Sequence, residues 1–236
     1  MFGADFDLVA LLIRIPVLLL SLSCHEFAHG FAAYRLGDST AKRDGRLSFN
    51  PIRHIDPIGF IFMIIFRFGW AKPVMVNPRF LKDPKKDMAV ISSAGPLVNM
   101  LMALMTLLIF HPLNIFLNVR LPLAVFINYS FNDLANIGLP VWQLVLFLLL
   151  AEIAIFNVVI GIFNLLPIPP LDGSKIFGSF LPDRLYYSYM RFERYGFIVL
   201  IVLIYSGAIS GILRALVTSA LRVLEFVVRH IYFFLR

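Results

Sequence analysis

Two imidazoles and a carboxylate stand together in His25-Glu26-Phe27-Ala28-His29. On a helix, positions four apart share a face, so both rings can address one metal ion, with Glu26 beside it as a base for a bound water. These three ionisable groups sit in an otherwise apolar stretch, where each costs at least a few kcal/mol unless it is paired or metal-bound. A metal-free His–Glu hydrogen-bond cluster is the alternative. A catalytic zinc with two His ligands takes a third protein ligand and keeps one position for water. Asp172 ends the run Asn164-Leu165-Leu166-Pro167-Ile168-Pro169-Pro170-Leu171-Asp172, whose three prolines in four residues cannot continue a helix. The chain must unwind there, at the depth where His25 and His29 leave the first helix. Glu152 competes for the role but lies roughly 20–30 Å away by helix rise, at the wrong depth. Asp172 is therefore the expected third ligand, and Glu152 a structural acid with Gln143 or Asn157 as partner.

The elements that must carry these residues follow from composition. Of 236 residues, 60% are hydrophobic and 15% charged, 24 are phenylalanine, and the mean hydropathy is +0.85. Soluble domains are nearer half apolar and a quarter charged, and disordered chains are poor in such residues, so both classes are excluded. One cysteine cannot build an internal disulfide framework. The net charge of +7 comes from basic residues in short stretches between apolar segments, which suits anionic lipid headgroups and not nucleic acid.

A transmembrane helix needs about 20 mainly apolar residues. Charge-free runs lie between Asp87 and Arg120 and between Arg194 and Arg214, residues 134–171 carry only Glu152, and residues 6–34 begin apolar. The run 57–66 is too short to cross as a helix and reads as re-entrant. Asp5 and Asp7 stand where a cleavable signal would carry Lys or Arg. Residues 35–87 hold eleven Lys or Arg, residues 167–194 hold four, and residues 111–139 hold only Arg120. The positive-inside rule then puts the first two segments in the cytosol and the third outside. In the tail, 196–213 nearly spans, and Gly207 and Gly211 form a GxxxG suited to close helix packing. Arg214, Arg222, Arg229 and Arg236 fall within roughly 80° of one helical face. That stripe fits either a helix lying in the interface or a last span with snorkelling ends.

HEFAHG at 25–30 with NLLPIPPLDG at 164–173 resembles the site-2 protease family of intramembrane zinc metalloproteases. RLSFNPIRHIDPIG at 46–59, GWAKPV at 69–74 and AGPLVN at 94–99 resemble the compact bacterial and archaeal branch, in the family's order over about residues 20–180. No PDZ-like insert is visible. The resemblance implies one Zn2+ per chain on His25, His29 and Asp172, Glu26 as general base, and Asn164 facing the site. Chemistry agrees: zinc lowers the pKa of its water to about 7, Glu26 can take the proton, and an Asn164 amide could support the developing oxyanion. The expected substrate is a transmembrane protein, and the expected setting is the lipid bilayer of a prokaryotic plasma membrane, multi-pass, with the active site toward the cytosol. Trp70–Val76, with Pro73 and Pro78, reads as the edge strand of a re-entrant hairpin that could take an extended substrate by strand addition; a plain cytoplasmic loop is the other reading.

Other polar residues have simpler readings. Cys24 points about 100° from His25 on a helix and reads as a small buried residue. His54 belongs to a turn, Asn99 to interhelical packing beside Gly95, and His111 to a span end. The expected fold is an all-α polytopic membrane protein of about four to six transmembrane helices, with a β-hairpin-like re-entrant segment near 58–76. Residues 1–236 read as a single metalloprotease domain, with a core at about 7–180 and a helical tail at about 195–236.

Overall fold

The computed structural model describes residues 8–66, 71–127, 134 and 136–234. The described residues form nine α-helices and three single 3-10 turns: α1 Leu8–Arg35, α2 Thr40–Arg43, α3 Pro57–Phe66, α4 Pro84–Phe116, α5 Val141–Asn164, α6 Asp172–Ser179, α7 Asp183–Arg191, α8 Glu193–Tyr205 and α9 Ser210–Phe234. Three helices, in α1, α4 and α5, are long and apolar enough to cross a membrane, and a fourth crossing results if α8 and α9 count as one bent span. The number is three to four, below the upper part of the expected range. The tail accounts for the difference, because α8 and α9 meet at 85°. Gly207 makes the break with φ +74, and a Cβ built on Gly207 or Gly211 meets nothing within 4 Å. The two glycines permit a turn and do not seat a helix. Arg214, Arg222 and Arg229 stand exposed on α9, while its Leu221 and Val228 are buried; Arg236 lies outside the described residues.

The expected hairpin near 58–76 is corrected by the local chemistry. Residues 57–66 form a helix, because Asp56 Oδ1 accepts the N–H groups of Ile58 and Gly59 and Pro57 fills the first helical position. With that half helical, residues 71–77 have no strand to pair with. No strand forms among the described residues; Ala71 makes an isolated antiparallel bridge to Ile55, and Trp70 lies outside the described residues.

Helix α4 packs against α1, α5 and α6. Along α4, Asn99, Ala103, Thr106 and Phe110 turn inward, while Leu97, Leu101, Met105 and Ile109, four apart, stand exposed as a lipid-facing ridge. Phe110 meets Phe126 and Phe147 edge-on in the main core, at 6.0 and 5.4 Å between ring centroids. A second cluster of Leu166, Leu171, Leu200 and Ile209 holds α8 beside the proline-rich turn. Glu152 is buried and accepts from Arg14 Nε at 2.8 Å, so its charged partner comes from α1 and is neither Gln143 nor Asn157.

Candidate metal centre

Helix α1 presents His25 and His29 on one face, with ring centroids 4.5 Å apart. After α5 the chain unwinds through Leu165–Leu171 and restarts at Asp172, the first residue of α6. Gly173 lets this restart pass close to α5, since a Cβ there would strike the Leu165 carbonyl. His25 Nε2 and His29 Nε2 are 2.9 Å apart, and each lies 3.2 Å from Asp172 Oδ2. All three side chains are buried, and their ligating atoms lie within 4.8 Å of one another.

Hydrogen bonding decides which atoms face inward. His29 Nδ1–H donates to the Ile91 carbonyl at 2.7 Å, so its Nε2 carries a lone pair. His25 Nδ1 lies 2.6 Å from Asn99 Oδ1, again leaving Nε2 as the acceptor. Two lone pairs and a carboxylate thus converge in a buried space, a combination that a cation between them would satisfy. The N2O donor set suits zinc with one position left over. Helix α4 floors the site at Gly95, where a Cβ would lie 2.5 Å from His25 Cε1 and 2.6 Å from His29 Nε2.

Glu26 Oε2 accepts the backbone N–H of Val74 at 2.8 Å. Residues 72–77 run past this carboxylate, tied by Lys72 N–H to the His54 carbonyl at 2.8 Å and by Asn77 N–H to Asp38 Oδ2 at 2.6 Å. Asn164 ends α5 with its amide turned back on the Ile160 carbonyl at 3.0 Å. His54 closes its own turn through Nε2 to the Ser48 carbonyl. Cys24 is half-buried and stands outside the metal-capable group. The Ile91 carbonyl, the Val74 amide, Gly95 under the rings and Asn99 behind His25 are contacts that local spacing does not reveal. Asn99 alone carried a signal, as a polar side chain inside a span.

Residues 13–207 match the model of peptidase family M50. The chain belongs to peptidase family M50. Among relatives, it is 38% identical over 189 residues to the Bacillus subtilis (strain 168) protein named "Putative zinc metalloprotease YwhC", covering 80% of this chain and 78% of that one. It is 27% identical over 198 residues to "Putative zinc metalloprotease Rip2" of Mycolicibacterium smegmatis, covering 81% of this chain and 66% of the other. No solved structure matches. This M50 chain is a zinc metalloprotease of the site-2 protease kind with membrane-spanning helices, and His25, His29 and Asp172 form a group able to hold the metal.

Proposed function

We propose that this M50 protein is an intramembrane zinc endopeptidase that hydrolyses peptide bonds of transmembrane substrates near the cytosolic membrane face. The carrying observation is the convergence of His25 Nε2, His29 Nε2 and Asp172 Oδ2 at one buried point, with Glu26 next to His25 in the chain. Bound there, zinc supplies Lewis acidity and a water of lowered pKa. Glu26, with Oε2 steadied by the Val74 N–H, takes the water's proton at Oε1 and delivers it to the leaving amine. The family resemblance supports Asn164, eight residues before Asp172, as an amide donor for the oxyanion, a role that requires its side chain to leave the Ile160 carbonyl.

A helical substrate hides its peptide bonds, so it must unwind before cleavage. Residues 72–77 pass directly over the base and include Pro73, which supports a place for an extended substrate even though they form no regular strand. The charge distribution favours a multi-pass protein of a prokaryotic plasma membrane, its site opening to the cytosol. Residues 1–236 act as one domain in this reading.

The test is the Glu26→Gln variant, assayed in liposomes against proteins with a single transmembrane segment. Cleavage should fall by about 10²- to 10⁴-fold while zinc content stays at one per chain. Normal cleavage by the variant removes Glu26 as base. Cleavage confined to soluble peptides removes the membrane substrate class.

A further inference from the structure

Behind the metal centre lies a buried carboxamide network to which the proposed mechanism gives no role. It joins Ser21 on α1, Asn99 on α4 and Asn157 on α5, all at 0% exposure. Asn157 Nδ2 is 2.8 Å from the Ile153 carbonyl and 2.9 Å from Ser21 Oγ. A carbonyl can only accept, so the amino group of Asn157 must face Ile153 and its oxygen must face away. That oxygen lies 2.7 Å from Asn99 Nδ2, which therefore donates to it. Asn99 Nδ2 also reaches the Ser21 carbonyl, at 3.4 Å. With its amino group so engaged, Asn99 turns Oδ1 toward His25 Nδ1 at 2.6 Å. His25 Nδ1 must then carry the ring proton, and its Nε2 must offer a lone pair to the site.

Each orientation forces the next, and the series starts at the Ile153 backbone. Without Asn157, Asn99 would be oriented by no more than the long 3.4 Å contact to the Ser21 carbonyl, too weak to keep the carboxamide from rotating and presenting its NH2 instead. In that state His25 Nδ1 becomes the acceptor, its proton moves to Nε2, and the nitrogen aimed at Asp172 is blocked. Metal-ligating histidines are set by what their second nitrogen bonds to.

We infer that Asn157, seated by Ile153 and Ser21, is a positioning residue that locks Asn99 and so fixes which nitrogen His25 offers to the metal. This rests on the metal reading above, and the test separates the two. Ring 15N NMR of the metal-free protein, with the His25 signal assigned through His25→Gln, reports the tautomer directly. Zinc affinity comes from competition with a chelator.

Wild type should show His25 with its proton on Nδ1. Asn157→Leu should give a tautomer mixture and weaken zinc binding by about 10- to 100-fold. Asn99→Asp supplies a carboxylate that can only accept, so in that background Asn157→Leu should change neither readout. Asn157→Ser serves the same comparison if the leucine variant does not fold, since its short hydroxyl turns onto the helix backbone and does not reach Asn99. A wild-type tautomer and affinity in the Asn157 variants would overturn the inference. So would an equal loss of affinity in the Asn99→Asp background, which would mean that packing alone was disturbed. If wild type takes up no zinc but the tautomer still depends on Asn157, the metal reading falls and the relay stands.

Discussion

Gly95 lies against both imidazoles, and a single methyl group there tests the metal centre. A Cβ at this position would sit 2.5 Å from His25 Cε1, 2.6 Å from His29 Nε2 and 2.7 Å from His25 Nε2. Ordinary contacts between such atoms are about 3.5–4.0 Å, so the rings must retreat by about 1 Å. Helix α4 cannot yield in their place, because Ser92, Pro96 and Asn99 around Gly95 are themselves buried. A metal tolerates only about 0.2 Å of error in ligand distance, so a 1 Å shift of two ligands is several times too large. Overpacking of this kind typically costs about 1–3 kcal/mol. Charged wholly to metal binding, that is a loss of about 5- to 150-fold in zinc affinity, at 1.4 kcal/mol per tenfold. Gly95→Ala should therefore bind zinc about 10- to 100-fold more weakly in a chelator competition run in detergent, with its helical circular dichroism kept. Gly211→Ala is the control, since a Cβ there meets nothing within 4 Å and helical alanine is favoured over glycine. Zinc affinity in Gly95→Ala within twofold of wild type would refute the placement of α4 beneath the rings.

Asp172→Ala should lose zinc, read by metal analysis of the purified protein, whereas Glu152→Ala should keep it and lower thermal stability because it strips Arg14 of its carboxylate; the opposite pattern would exchange their roles. Val74→Pro removes the N–H that steadies Glu26, so turnover should drop at least tenfold with zinc retained, while Val74→Ala should stay near wild type. Burial pushes the Asp38 carboxyl up, but hydrogen bonds from Thr40 and Asn77 outweigh it and hold the group below its ordinary value. A depressed carboxyl stabilises the fold fully above its unfolded pKa of about 3.9 and loses that contribution as pH falls through the folded value. Asp38→Asn should thus lower the melting temperature at pH 7 and narrow the gap from wild type near pH 3; an undiminished gap at pH 3 would show that the charge is not what matters.

What could be read in advance divides along physical lines. The helical spacing of His25 and His29 and the proline break before Asp172 are local features, and the structure brings those three residues together. The contact from His25 to Asn99 spans 74 positions and depends on how α1 and α4 are rotated about their axes, which local spacing does not encode. The expected hairpin gives way to a local signal, because Asp56-Pro57 is a helix start and it outweighs the β-favouring Phe and Ile residues that follow. Glu152 found Arg14 and neither Gln143 nor Asn157. Depth alone pointed that way: Arg14 lies 11 residues before His25 on α1, and Glu152 lies 12 before Asn164 on α5. In the tail, the GxxxG spacing suggests close helix packing, but the operative property of Gly207 is its positive φ, which belongs to the bend and is not visible in the spacing.

The pair between Arg14 and Glu152 also bears on how the protein is made. Helix α1 leaves the ribosome carrying Arg14 and the three ionisable groups of its metal-binding motif, and Glu152 is synthesised well over a hundred residues later. Arg14 stands near the N-terminal end of that span with its side chain 41% exposed, where a long basic side chain can reach toward the interface, whereas Glu152 is buried. The buried acid on α5 therefore meets a basic group on α1 at the same depth once the two helices pack. The ion pair thus couples the seating of α1 to that of α5 across well over a hundred residues of chain, and a truncation ending before α5 should leave α1 less firmly held in the bilayer.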